Sequence, residues 1–249
     1  MRFSRRKLLL SSAFLLTVLS CAFLWHVCSS DEPSYGGKRL SVWVDELRTL
    51  DPSKRLDPNT PQVQALRAIG TNAIPWLLSE LGRGENPLEW RINMLLEKQR
   101  FTKYRFPDAD KHGSRAAFGF YALGPLAKPA IPGLLNLLET RPSVVPFALA
   151  GIGTAGLPAL QQCLTNTRSY AFTTGPQAII PGETIGCIYN AVNAGRISER
   201  EAAIFLPSIR DWAKSTNTHA VAYATQFLTD FHQSLSSNKE IDEPPKARE

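Results

Sequence analysis

The stretch AIPWLLSEL at residues 73–81 carries the pattern that decides the fold. It begins with a small residue, an aliphatic residue and a proline, and it continues with apolar residues at helical spacing. The pattern returns in AIPGLLNLL at residues 130–138 and, less completely, in GLPALQQCL at residues 156–164. The apolar runs before the three copies end at Gly70, Gly124 and Gly153. Glycine after one helix and proline at the start of the next predict repeated pairs of short helices.

This alternation resembles HEAT repeats, and in particular the HEAT-like repeats of bacteria that also occur in phycobilisome lyases. The resemblance rests on GTNAIP at residues 70–75 and GPLAKPAIP at residues 124–132, and it covers roughly residues 60–165. The pattern is also similar to that of exported HEAT-repeat proteins of unknown function. The resemblance implies an all-α fold in the form of a short, irregular α-solenoid. Stacked helix pairs of this kind share one apolar core and expose a long surface that holds partners.

The repeats are unevenly spaced along the chain. Pro75 and Pro132 lie much farther apart than Pro132 and Pro158, so residues 83–115 are predicted to be inserted material. A helix with a stripe of apolar residues is expected within this insertion. The stripe comprises Leu88, Ile92, Leu95 and Leu96.

The N-terminus predicts an exported protein. Four of its first seven residues are basic, and the 21 residues of 8–28 contain no charged side chain. A helix of that length spans about 30 Å, which is enough to cross the hydrocarbon core of a membrane. Because the basic side stays in the cytoplasm, the rest of the chain is expected on the exported side.

Three fates of this segment remain open. A retained signal anchor is favoured, because the apolar stretch is longer than that of a cleaved signal peptide. Val18-Leu19-Ser20-Cys21 resembles a lipobox, which would make Cys21 the site of lipidation in a lipoprotein. The pair Arg5-Arg6 before the apolar run resembles a twin-arginine signal.

Four regions follow from these patterns. Residues 1–28 form the signal anchor or signal peptide and residues 29–37 a polar tether. Residues 38–235 are predicted to form the helical repeat domain, with single helices at 199–215 and 218–235, and residues 236–249 a disordered tail. The pI near 9.3 reflects the N-terminal cluster, because the rest of the chain has 24 basic and 22 acidic residues. This near balance argues against a nucleic-acid partner.

A basic and aromatic segment within the insertion is the candidate partner-binding site. Between residues 91 and 115 there are seven basic residues and three acidic ones. Aromatic and cationic side chains together can contact a base, a lipid headgroup or an acidic protein, although an ordinary helix end carries similar residues. The candidate residues are Lys98, Arg100, Phe101, Lys103, Tyr104, Arg105 and Phe106.

The sequence contains no pattern of catalytic or metal-binding residues. His112 is expected to stand alone in a loop, and His219 and His232 are too far apart to share a metal ion. No cofactor is predicted. Cys163 and Cys187 could form a disulfide in an oxidising compartment, although buried free thiols are the more ordinary interpretation. The expected function is a membrane-tethered, non-catalytic protein–protein interaction scaffold; a lyase-like or other enzyme on the same array is the alternative.

Overall fold

The computed structural model describes residues 32–50, 57–84, 87–97, 109–168 and 179–242. This part of the chain is almost entirely helical, which confirms the predicted all-α class. The helices are α1 (Leu40–Thr49), α2 (Pro61–Ile69), α3 (Ile74–Gly82), α4 (Pro87–Glu97), α5 (Ala109–Leu123), α6 (Ile131–Leu137), α7 (Val145–Ile152), α8 (Leu157–Leu164), α9 (Ile179–Asn193), α10 (Glu199–Ala202), α11 (Leu206–Ala213) and α12 (Thr218–Asp242).

A small hairpin precedes the first helix. Strands β1 (Ser34–Tyr35) and β2 (Lys38–Arg39) pair antiparallel across Gly36 and Gly37, which both have positive φ. Two consecutive glycines suit this tight turn because they reach that conformation without a steric penalty. The Trp43 indole nitrogen donates a hydrogen bond to the Tyr35 carbonyl at 3.0 Å, which ties the hairpin to α1. The predicted tether, residues 29–37, therefore extends too far, since its last residues belong to the folded unit.

Three helix pairs share one kind of turn. Gly70, Gly124 and Gly153 have φ values of 63°, 58° and 79°, and each begins a short 3₁₀ segment that leads into the next helix. Glycine allows this left-handed conformation, whereas a side chain would strain it. A proline then occupies the first turn of α3, α6 and α8, where its missing N–H is no loss. The repeated phrase thus specifies where each pair turns.

A fourth 3₁₀ turn followed by a proline lies beyond the predicted repeats, but it contains no glycine with positive φ. The sequence analysis assigned one helix to residues 199–215, and this is wrong. The chain forms the short helix α10, a 3₁₀ turn at Ala203–Phe205, and then α11 with Pro207 in its first turn. A proline cannot donate the hydrogen bond that an uninterrupted helix requires at that position, so the helix is divided there.

Helix α5 is the centre of the first half of the core. It packs against α1, α2, α3 and α7, and α7 in turn packs against α9. Helices α8 and α12 pack against α9, and α11 packs against α12. The buried side chains of these helices form one apolar cluster whose largest members are Phe120, Phe205 and Phe227.

The close approach of α5 and α7 depends on a glycine. A Cβ atom added at Gly151 of α7 would lie 2.6 Å from the Cα atom of Tyr121 on α5. That distance is to backbone, which cannot move aside as a flexible side chain could. Helices α5 and α7 therefore approach each other closely only because residue 151 lacks a side chain.

The last helix continues past the predicted end of the domain. Helix α12 ends at Asp242, so the expected boundary at residue 235 falls inside it. Intrahelical hydrogen bonds can carry a helix beyond the residues that pack, because each added residue contributes its own bond.

One stretch of the described residues is long and apolar enough to span a membrane. It is Val145–Leu164, with a mean hydropathy of 1.2, and 67% of it is buried. The stretch comprises α7, a 3₁₀ turn and α8, and its burial in the core accounts for its apolar character. The predicted membrane segment, residues 8–28 with Cys21, lies outside the described residues.

Candidate functional site

A buried carboxylate lies where α1, α3 and α5 meet. Glu80 occupies the inner face of α3, together with Leu77 and Leu81, and only 4% of its surface is exposed. A buried carboxylate is stable only when it is paired and hydrogen-bonded. Helix α5 supplies these partners: His112 Nδ1 lies 2.5 Å and Arg115 Nη1 3.0 Å from Glu80 Oε1.

Arg115 extends this network to α1. Its Nε and Nη2 atoms donate to the two carboxylate oxygens of Asp45 at 2.9 and 2.6 Å, a two-point arrangement that fixes the orientation of both groups. Burial alone would lower the pKa of Arg115, but its hydrogen bonds and the charges of Asp45 and Glu80 outweigh that effect and raise it. We call Asp45, Glu80, His112 and Arg115 the ion network. It joins three helices that are distant in the sequence.

His112 contradicts its sequence-based assignment. It was expected alone in a loop, but it lies in the first turns of α5 and is buried. Glu80 faces one ring nitrogen, while the other, Nε2, is buried and has no hydrogen-bond partner in the structure. His112 is therefore an internal partner of Glu80 and not an isolated loop residue.

Metal binding finds no support in this part of the chain. Among the described residues, no group of three or more His, Cys, Asp or Glu side chains could hold a metal ion. The chemistry that the ion network can perform is electrostatic cross-linking of α1, α3 and α5.

Helix α4 presents its apolar side chains outward. Leu88 and Leu95 of the predicted stripe are 64% and 61% exposed, and Met94 is 43% exposed. No described side chain of α4 belongs to the apolar core. We call Leu88, Met94 and Leu95 the α4 surface. Several large apolar residues exposed on one short helix are typical of a contact surface.

The basic and aromatic candidates follow α4 directly in the sequence. Residues 98–108 lie outside the described residues, and with them Lys98, Arg100, Phe101, Lys103, Tyr104, Arg105 and Phe106. Their assignment to a partner-binding site remains a prediction.

The two cysteines of the folded unit are free thiols. Cys163 on α8 and Cys187 on α9 are both buried. Burial raises the pKa of Cys163 to about 12, slightly offset by a hydrogen bond with Thr184, and burial also raises the pKa of Cys187 well above its ordinary value. Protonated thiols in this state are poor nucleophiles. In this structure the pair serves as packing residues of the helix core.

The sequence analysis missed Glu80, Arg115 and Asp45. A signal for Glu80 was present, because it lies three residues after Leu77 and next to Leu81, on the apolar face of its helix. A charge at such a position indicates a buried ionic partner. Its partners on α5, His112 and Arg115, are 32 and 35 residues away and give no local signal.

Comparisons with known proteins found no match for this chain. No family model, no curated protein and no solved structure matches it. The resemblance to HEAT-like repeats accordingly rests on the sequence patterns alone.

Proposed function

We propose that this protein is a non-catalytic scaffold for protein–protein interaction, built as a HEAT-like α-solenoid and tethered to the exported side of a bacterial membrane. The observation that carries the proposal is the α4 surface. Packed helices normally turn their apolar side chains inward, and α4 does the opposite with Leu88, Met94 and Leu95. The absence of a metal-ligand cluster among the described residues is consistent with a binding role.

The tether is a separate part of this proposal. Its support is the uncharged segment 8–28 behind a basic N-terminus. Recovery of the full chain in the membrane fraction after alkaline extraction, with protease sensitivity only from the exported side, is the expected result. Recovery in the cytosol would contradict the tether but would leave the α4 surface to be tested.

The binding role is tested by substitutions on α4. The double variant Met94→Ser and Leu95→Ser removes exposed apolar area, so it should leave thermal unfolding nearly unchanged while reducing partner recovery by crosslinking in native membranes. Ile204→Ser is the matched control, because Ile204 is 55% exposed but lies outside α4. Equal recovery with both variants would reject α4 as the contact surface.

The basic segment can be tested in the same assay. Replacing Lys98, Arg100, Lys103 and Arg105 with glutamine should weaken partner recovery if the segment extends the α4 surface. Unchanged recovery would mean that the basic segment is not part of the contact, and the α4 surface alone would remain the proposed binding site.

An enzyme on the same array is the second candidate, and one observation favours it. Glu80 and His112 form a carboxylate–imidazole pair of the kind that serves as a general base. An open groove of about 540 Å³ lies nearby, with Asp110 and Arg141 among its lining residues. His112 is not among those lining residues, so the pair and the groove are not combined into one site. Loss of any activity in His112→Gln with the fold retained would support this candidate.

A further inference from the structure

A second polar cluster lies at the opposite end of α5 from His112. Helix α9 ends at Asn193, the chain turns through Gly195 at φ 66°, and the Arg196 amide donates to the Ala191 carbonyl at 2.8 Å. This turn directs the Arg196 side chain back over α5. Its guanidinium carbon lies 5.1 Å from the centre of the Tyr121 ring.

Two turn glycines make room for this arginine. A Cβ atom at Gly124 would lie 3.2 Å from Arg196 Nη1, and one at Gly153 would lie 3.1 Å from the Arg196 carbonyl oxygen. Both glycines belong to the repeated turns, so the turns have a second role in addition to reversing the chain. Because residues 124 and 153 lack side chains, there is space for Arg196 beside these two turns.

A second guanidinium contacts the next residue of α5. Arg67, in the last turn of α2, donates its Nε hydrogen to the Ala122 carbonyl at 3.3 Å. The Tyr121 ring stacks on Phe147 with the ring centres 5.1 Å apart. We call Arg67, Tyr121 and Arg196 the arginine cluster.

Two guanidinium groups give this cluster positive charge. Within the described parts of the chain, neither Arg67 nor Arg196 forms an ion pair, and Arg196 Nη2 is buried without a hydrogen-bond partner. The pKa of Arg196 is lowered, first by burial and then by the charge of Arg67, although Tyr121 offsets part of this effect. A buried donor without an acceptor is energetically unfavourable.

A carboxylate five residues after Arg196, Glu201, is already engaged. It accepts hydrogen bonds from the Ser198 amide at 2.8 Å and from the Thr154 hydroxyl at 2.7 Å. Among the described residues, the arginine cluster thus combines two guanidinium groups with an unmet donor and no ion-paired carboxylate, which are the properties of an anion site.

We propose that the arginine cluster binds a carboxylate presented by an acidic segment of a partner protein. This inference rests on the proposed interaction function and specifies one contact within it. A carboxylate fits because its two oxygens can accept from paired guanidinium nitrogens. A peptide fits because the rings of Phe118 and Phe147, 5.3 Å apart beside the cluster, offer apolar contacts to the residues around the acid.

The test uses the full chain in detergent and a fluorescein-labelled oligoglutamate peptide, with binding followed by anisotropy. Wild-type protein should bind, and both Arg196→Gln and Arg67→Gln should bind at least tenfold more weakly. Arg196→Lys, which keeps the charge but loses the two-point geometry, should be intermediate. Arg210→Gln is the control, because Arg210 is exposed and lies on α11.

Four results would overturn the inference. They are no binding by the wild type, an equal loss in Arg210→Gln, wild-type affinity in Arg67→Gln, and stronger competition by inorganic phosphate than by an unlabelled oligoglutamate. If Arg196→Gln fails to fold, as judged by circular dichroism, the Arg67→Gln variant decides the outcome. The α4 double variant should bind the peptide normally, so failure here and failure of the α4 surface can be told apart.

Discussion

Charged side chains near the two ends of α5 differ in how they are paired. Near its start, Glu80 and Asp45 meet Arg115 and His112, so acids and bases are matched inside the protein. Near its end, Arg67 donates to a carbonyl group and Arg196 contacts the ring and hydroxyl of Tyr121, and neither arginine has an ion pair among the described residues. A matched network holds helices together, whereas an unmatched one is left open to an outside partner. The difference separates a structural role from a binding role within one helix.

The largest effect should come from breaking the matched end. Glu80→Ala removes the acceptor of both Arg115 and His112 and leaves them buried, so we expect unfolding to become about 3 kcal/mol easier. Urea denaturation followed by circular dichroism measures this. Glu46→Ala is the control, since the ion pair of Glu46 with Lys38 is exposed. A similar loss in both variants would mean that the ion network does not stabilise the fold.

The next effect tests the helix approach beneath the unmatched end. Gly151→Ala places a Cβ atom against the backbone of Tyr121, and we expect a loss of about 2 kcal/mol from overpacking. Gly84→Ala is its control, because a Cβ atom there meets nothing within 4 Å. Thermal unfolding of the two variants gives the comparison. A stable Gly151→Ala protein would show that α5 and α7 can separate without cost.

A smaller effect is expected at the unmatched end itself. Arg196→Gln removes a guanidinium with an unmet donor and loses its contacts with the ring and hydroxyl of Tyr121, so the change should be about 1 kcal/mol. Arg115→Gln, the same substitution in the ion network, should cost clearly more. Urea midpoints of the two variants measure the difference directly. Equal losses would remove the distinction between the two ends of α5.

The smallest effect concerns pH. Hydrogen bonds from the Ser198 hydroxyl and amide and from Thr154 lower the pKa of Glu201 from 4.5 to about 2. The folded value is depressed, so its contribution is present above pH 4.5 and is lost as the pH falls through about 2. Carboxyl titration by NMR should show this midpoint, and Ser198→Ala should raise it. If Arg196→Gln also raised it, Glu201 would be the hidden acid of the arginine cluster.

The sequence predicted the fold where local rules decide it. Glycine allows a positive φ and proline lacks an N–H donor. The positions of these residues in the sequence were therefore enough to locate the turns at Gly70, Gly124 and Gly153. The division between α10 and α11 depends on the same chemistry, and Pro207 was its overlooked signal. Helical periodicity concealed the break, because a short 3₁₀ turn hardly shifts the apolar pattern.

The sequence did not predict which residues pair in the two polar clusters. Glu80 stood out on an apolar face, but its partners on α1 and α5 are fixed only when helices stack. Arg196 meets Tyr121 across a large separation in sequence, through a turn whose geometry depends on Gly195. Long-range pairs of this kind have no local pattern. The basic segment at residues 98–106 and the lipidation of Cys21 remain predictions from sequence.

The outward-facing α4 has a consequence for how this protein can change over generations. Substitutions that disturb the core are removed by selection because they unfold the chain, and α4 contributes no described side chain to that core. Its residues can therefore diversify while the surrounding helices keep theirs. Related proteins that descend from one gene could therefore differ in binding specificity through changes in this single helix.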